Sequence, residues 1–454
     1  MSNTLPDTFV WGAATSAFQI EGGRHQDGKG ESIWDRFSDT GRMPDSGDIT
    51  CDHFHRWRED VALMADLGIN AYRFSTAWTR IIPDGLGDVN EAGLSFYSDV
   101  IDELIKNGIT PWLTLYHWDL PQGLQDQGGW LNRDTIDAFV HYADVASEAF
   151  GDRVKNWITQ NEPWVAAHLG HAEGVFAPGI ADFGSALVAG HNILVSHGRA
   201  VPVIRANSSS AQVGIALDCR PSHPASDEPG DVTAEQTYDG FRNRWFFDPV
   251  FGKGYPEDTV AVVHERGVFR GPGLPFVEPG DLDDIAVPID FLGLNYYTSV
   301  DVSAADPEAA GVVLPEGPDQ PADYTEMGWE ITPMALTEYL LKLQEEYSPD
   351  SIVITENGVS YSDGPGEDEK VHDQRRIDYL DAHIRATAAA CDRGAHVDGY
   401  FVWSLLDNLE WVAGYSQRFG LIWVDHATGR RIPKDSYHWY RGIISNGLSS
   451  QNPK

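Results

Sequence analysis

The chain has 454 residues, with 32 Lys plus Arg against 69 Asp plus Glu and a formal net charge of -37. That balance argues against nucleic acid or an anionic membrane as a partner and reads as a solvated acidic surface. Cys51, Cys219 and Cys391 lie far apart and outside any CxxC or Cys/His ligand spacing, so neither a disulfide framework nor a zinc site is indicated and no metal is expected. The start, MSNTLPDTFV, has no basic or apolar leader pattern, and no stretch reaches the length of a membrane span. A soluble cytoplasmic protein is expected, with homo-oligomerisation left open.

Strand-like and helix-like segments alternate along the chain. Residues 8 to 20, TFVWGAATSAFQI, are predicted to form an apolar strand that ends at Gln19 and Glu21, before a glycine-rich and charged loop. Residues 56 to 67 are amphipathic, with Gly68 as a helix stop, and 69 to 78, INAYRFSTAW, carry Arg73 inside the second strand. Helix 91 to 108 leads to the third strand, ITPWLTLYHWDLP at 109 to 121, which closes on His117 and Trp118. Helix 133 to 150 precedes KNWITQNEP, a strand that meets Asn161, Glu162 and Pro163.

A long helix, about 185 to 206, precedes strand five, QVGIALD, at 212 to 218. Strand six, DFLGLNYY, at 290 to 297 ends on Asn295 and Tyr297, and the stretch from 303 to 324 reads as an exposed excursion. Helix 333 to 347 leads to SIVITENG at 351 to 358, where a β-branched run buried on both faces ends at Glu356. Helix 372 to 393 leads to strand eight, VDGYFVWSLLDN, at 397 to 408.

Eight strands separated by helical material select an α/β fold, a single (β/α)8 TIM barrel forming one domain over 1 to 454, because buried parallel strands need both sheet faces covered. No GxGxxG follows the first strand and no GxxxxGK[ST] occurs, so no nucleotide cofactor is indicated. Barrel enzymes place their sites at the C-terminal ends of the strands. Gln19, Arg73, His117, Trp118, Asn161, Glu162, Asn295, Tyr297, Glu356 and Trp403 all fall at or near such ends. Any one of them has a packing explanation, but packing does not require them to share a face.

An ionised Glu at the end of a core strand is costly unless paired or used, and here two strands, ending at Glu162 and Glu356, present one. Paired carboxylates across a cleft are the tools of glycoside hydrolysis. Gln, Asn, His and Glu suit sugar hydroxyls, and indole rings suit the apolar face of a pyranose. Of 15 Trp, Trp118, Trp164, Trp329, Trp403 and Trp411 cluster around this face.

With FVWGAATSAFQIEG, YRFSTAWTRI, TLYHWDLPQ, TQNEPW, LGLNYY, ITENG and WSLLDNLEW in order over nearly the whole chain, the sequence resembles a β-glucosidase of glycoside hydrolase family 1. The resemblance implies a small-molecule β-glycoside substrate and a retaining mechanism, with Glu162 as acid/base and Glu356 as nucleophile. It implies that Arg73, Asn295 and Tyr297 tune Glu356. Gln19, His117, Asn161, Glu410 and Trp411 would bind the glycone hydroxyls, with Trp403 as sugar platform and Phe419 completing the pocket. Trp329 would line the aglycone side. Three alternatives stay in view: a catalytically silent sugar-binding protein, a barrel metallohydrolase and a 6-phospho-β-glycosidase. The first would lack a carboxylate that is present here. The second would need His or Asp ligands at several strand ends, where His117 stands alone. The third would need cationic donors in the loop where Glu410 puts a negative charge and Arg418 is the lone cation.

Overall fold

The apolar runs become eight strands: β1 (Val10–Ala14), β2 (Ala71–Ser75), β3 (Thr110–Tyr116), β4 (Asn156–Asn161), β5 (Gln212–Cys219), β6 (Phe291–Tyr296), β7 (Ile352–Asn357) and β8 (Val397–Trp403). The computed structural model describes residues 5 to 448 apart from 7, 272 and 306 to 323. Each strand pairs in parallel with the next, and β8 pairs with β1 from Val10 opposite Gly399 to Ala14 opposite Trp403, which closes the barrel. The expected (β/α)8 architecture is the observed one.

Parallel neighbours require crossovers. Helices His53–Leu67, Glu91–Lys106, Asp134–Phe150, Phe183–Asn207, Pro333–Tyr347 and Gln374–Asp392 supply six of them, and a series of shorter helices spans β5 to β6. The strands are thereby covered on both faces, and β2, β6 and β7 are buried at every position. Gly68 closes its helix in the left-handed region at φ +83, as its position after the amphipathic run predicts. Among the described residues no helix is long and apolar enough to cross a membrane.

Four strands stop well short of the ends expected for them: the second at Ser75, the third at Tyr116, and the first and eighth as follows. The first strand stops at Ala14, and Ala17–Ile20 is a helical turn that carries Gln19. Local polar contacts win there: Ser16 Oγ donates to Gln19 Oε1 at 2.6 Å, and Ala17 N–H donates to Ser75 Oγ at 2.8 Å. β8 stops at Trp403, so 404 to 408 begin a loop. The excursion expected at 303 to 324 lies, from 306 to 323, outside the described residues.

Inside the barrel Trp112 meets Phe291 and Phe401 with ring centroids 5.0 and 5.3 Å apart, packed with Ile158 and Val353. Gly12 makes room for this plug, since a Cβ there would stand 2.2 Å from the Phe401 ring. Phe291 precedes Asn295 on β6 and Val353 precedes Glu356 on β7, so the plug lies beneath the polar strand ends.

The loop after β8 is held from behind by a fully buried carboxylate. Asp407 accepts from Lys434 Nζ at 2.7 Å, from Arg418 Nη1 at 3.0 Å and from Gly420 N–H at 2.9 Å. Removing one partner of a buried pair leaves charge uncompensated. Lys434→Met is expected to cost about 3 kcal/mol of stability in urea unfolding. A loss below about 1 kcal/mol, the range of an exposed pair, would show that Arg418 and Gly420 hold Asp407 unaided.

Candidate active site

Four strand ends, β2, β4, β6 and β7, build the centre of the site around Arg73, whose side chain is buried. From β2 its Nη1 donates to Glu356 Oε1 at 2.6 Å and to Thr355 O at 2.9 Å, and its Nη2 donates to Asn161 Oδ1 at 2.5 Å. Tyr297 OH donates to the other oxygen, Glu356 Oε2, at 2.7 Å. Asn295 Nδ2 donates to Glu162 Oε1 at 2.6 Å and to Asn161 Oδ1 at 3.1 Å. Thr355 Oγ1 donates to Asn295 Oδ1 at 2.6 Å, which fixes which way that amide faces. A continuous hydrogen-bonded chain therefore joins the two carboxyls. Glu162 itself has left-handed backbone at φ +48, as do Trp118 at φ +76 and Trp411 at φ +49, a strain of about 1 to 3 kcal/mol each that collects at functional sites.

The two carboxyls differ electrically. Burial raises both, but at Glu356 the Arg73 guanidinium and the Tyr297 hydroxyl favour the anion. At Glu162 the charges of Glu356 and Asp218 add to burial, and its carboxyl is held well above the usual range. Glu356 is the one that ionises first. Burial, and next the charge of Glu356, keep the Tyr297 phenol protonated as a donor.

On one side of this pair, His117 receives Asn161 Nδ2 on Nε2 at 3.2 Å and stacks near Trp403, with centroids 5.7 Å apart at 17°. Burial, then the Arg73 charge, hold it neutral. Its Nδ1 has no partner among the described protein atoms. Gln19 is fully buried and reaches the cleft through Glu410 Oε2 at 3.4 Å, while its amide also donates to Leu409 O and Asn408 Oδ1. Burial, then Glu356, push the Glu410 carboxyl up to about 8. Trp118 Nε1 donates to Asn161 O at 2.9 Å and packs on Trp411 at 4.7 Å. Phe419 lies 6.2 Å from Tyr297 and 6.3 Å from Trp329.

The cleft over these groups holds about 220 Å³, and Glu162, Glu356, His117, Trp118, Asn295, Tyr297, Trp329, Trp403, Glu410, Trp411 and Phe419 all line it. Gln19, Arg73 and Asn161 lie beneath and act through hydrogen bonds. All fourteen residues read from the sequence are thus brought to one face. The sequence reading missed three lining features: Asp218 at the end of β5, Arg242 paired to it at 2.5 Å, and the apolar mouth of Val165, Leu169, Phe176 and Met327. Asp218 ends a buried run as Glu356 does, so the same signal was available. Arg242 comes from a π-helical stretch, 240 to 244, with no periodicity to reveal it.

Comparison with known proteins agrees with this geometry. The profile described as Glycosyl hydrolase family 1 matches residues 1–448. Beta-glucosidase A of Thermotoga maritima is 46% identical over 446 residues, 97% of this chain and 98% of that protein. The 1,4-beta-D-glucan glucohydrolase of Thermotoga neapolitana is 45% identical over 450 residues, covering 98% and 99%. Among solved structures, the Thermotoga maritima beta-glucosidase in complex with glucoimidazole superimposes with a TM-score of 0.91 at 46% identity, covering 98% of this chain and 99% of that one. The AHE enzyme from Alicyclobacillus herbarius does so with a TM-score of 0.93 at 45% identity, covering 99% of each. The chain belongs to glycosyl hydrolase family 1.

Proposed function

We propose that this enzyme is a retaining β-glucosidase that releases terminal non-reducing β-D-glucosyl residues from cello-oligosaccharides and from aryl or alkyl β-glucosides by double displacement. The observation that carries the reading is the hydrogen-bonded chain from Glu162 through Asn295, Asn161 and Arg73 to Glu356, which holds both carboxyls over one cleft. A retaining mechanism needs two carboxyls that face one cleft, one to attack and the other to protonate. The relatives named beta-glucosidase and 1,4-beta-D-glucan glucohydrolase support the glucosidic substrate.

In the first step Glu356, kept ionised by Arg73 and Tyr297, attacks the anomeric carbon. Glu162 gives its proton to the departing glycosidic oxygen, and the C–O bond to the aglycone breaks. Glu356 is then an ester and carries no charge. Glu162, now a carboxylate, takes a proton from water as that water attacks the same carbon from the β face. The product keeps the β configuration and both carboxyls return to their starting states. The unpartnered His117 Nδ1 and the oxygens of Glu410 suit sugar hydroxyls, with Trp403 beneath the ring.

The same geometry speaks for an unmodified sugar over its 6-phosphate. Arg418, the one cation in the loop of Glu410, is turned to Asp407 Oδ2 and Val424 O and does not line the cleft. A phosphate there would give up its water beside a carboxyl with Arg418 turned away from it, a penalty of several kcal/mol.

Glu356→Gly is expected to lose nearly all turnover, and azide entering the vacated space should restore part of it and yield the α-glycosyl azide. A β-azide product overturns the assignment. Glu162→Ala should damage cellobiose hydrolysis far more than that of a dinitrophenyl glucoside, whose leaving group departs unprotonated, and should erase the alkaline limb of the rate profile. Equal losses on both substrates would assign Glu162 another role. The wild type should hydrolyse an aryl β-glucoside and ignore its 6-phosphate, and Glu410→Ser should lose much of the first activity. A preference for the phosphate in parallel kcat/KM measurements would overturn the substrate class alone.

A further inference from the structure

We propose that the Asp218–Arg242 ion pair is a positioning device that sets the pH range over which Glu162 serves as acid and the strength with which it then serves as base. The inference rests on the reading of Glu162 given above. Glu162 N–H donates to Ala216 O of β5 at 2.8 Å, so the end of that strand, with Asp218, stands beside it and lines the same cleft. Asp218 is the register partner of Asn295, whose amide is bonded to Glu162. Arg242 Nη2 lies 2.5 Å from Asp218 Oδ2, and its Nη1 donates to Asp218 O at 3.3 Å. The guanidinium carbon also sits 4.0 Å from the centroid of Trp164, in the chain just beyond Glu162. One side chain thus grips both flanks of the acid/base residue, and the pair it forms is largely shielded from water, with side-chain exposures of 7% and 11%.

A guanidinium does not release its proton at working pH, and although burial raises the Asp218 carboxyl, the charge of Arg242 and its hydrogen bond favour the carboxylate. A carboxylate next to Glu162 makes its ionisation costlier, and the cation behind it makes it cheaper. Asp218 is the stronger of the two influences on Glu162, and both are smaller than burial and the charge of Glu356. The other groups near the cleft offer no substitute. Burial keeps the Tyr297 phenol and the Cys219 thiol protonated and His168 neutral, and Arg73 is engaged by Glu356. Glu410, Glu173 and Arg220 also line the cleft, but the charges that act most on Glu162 are those of Glu356, Asp218 and Arg242.

The pair matters most after the first displacement. Once Glu356 is esterified its charge is gone, while that of Asp218 persists. Asp218 therefore keeps Glu162 basic enough to take a proton from water in the second displacement.

The test is the pH profile of Asp218→Asn, a nearly isosteric change that removes the carboxylate. The alkaline limb of kcat/KM on cellobiose is expected to move to lower pH by roughly one unit, with the acid limb unmoved. On a dinitrophenyl glucoside, where the second step limits, kcat should fall severalfold. Asp218→Ser removes the same charge and carries the test if the Asn variant does not fold. Arg242→Lys keeps the pair charged and should retain the wild-type limb. An unmoved alkaline limb in the Asp218 variants overturns the proposal, as does a limb moved equally by Arg242→Lys, which would point to packing. Glu162→Ala, run alongside, separates this from failure of the underlying assignment: if the alkaline limb survives in that variant, Glu162 is not the group that titrates.

Discussion

A buried guanidinium is the constraint to which the cleft is fitted. Arg73 cannot shed its proton and has almost no water around it, so every donor it carries must find an acceptor inside the barrel. Glu356, Thr355 O, Asn161 Oδ1 and Thr114 Oγ1 supply them. Those acceptors come from β3, β4 and β7, so one side chain ties β2 to three other strands. The same bond that neutralises Arg73 holds Glu356 as an anion, and structural necessity and chemical readiness are met by one contact. The Asn161 oxygen, already used by Arg73 and Asn295, leaves its Nδ2 to turn toward His117, which sets the tautomer of a residue with no charge of its own to contribute.

From this centre an electrical gradient runs across the cleft. Glu356 faces a cation and a phenol, whereas Glu162 faces a carboxylate on either hand, Glu356 and Asp218. Two chemically identical side chains thereby differ in how readily they ionise, which is what the proposed mechanism needs for one to attack while the other protonates. Because the gradient comes from groups fixed by the strand register, Asn295 opposite Glu356 and Asp218 opposite Asn295, it needs no rearrangement at the moment of reaction.

Much of this was legible in the sequence, and the parts that were not have physical reasons. Apolar runs set between helical-period segments marked all eight strands because a parallel barrel buries both strand faces, as the wholly buried β7 shows. Strand ends were less legible where side chains offer the backbone a competing partner, as Ser16 and Ser75 do around the turn that carries Gln19. Trp118, Glu162 and Trp411 adopt left-handed backbone with no glycine to mark it. Gly358 is the readable counterpart: a Cβ there would stand 1.7 Å from Trp403 O, so the glycine after Glu356 and Asn357 lets β7 approach β8. Asp218 carried the signal that singled out Glu356 and was passed over because no family motif surrounded it. Arg242 carried no signal, since its place depends on how the irregular connection from β5 to β6 folds back over the cleft.

The charge of the whole molecule bears on which sugar the cleft accepts. Five carboxyl groups line it, Glu162, Glu173, Asp218, Glu356 and Glu410, against the guanidinium groups of Arg220 and Arg242, and Arg242 is already paired with Asp218. The surface beyond carries a formal net charge of -37. Salt screens the surface over a Debye length of about 8 Å at physiological strength, but it screens a desolvated cleft far less. An anionic substrate is therefore opposed where the penalty is greatest, at the pocket itself. A neutral glycoside brings only hydroxyls and an apolar ring face, which neutral His117, the carboxyl oxygens and the indoles can match without burying new charge. On the proposed function, the charges of Glu356 and Asp218 that raise Glu162 would by the same electrostatics favour an uncharged sugar in the cleft.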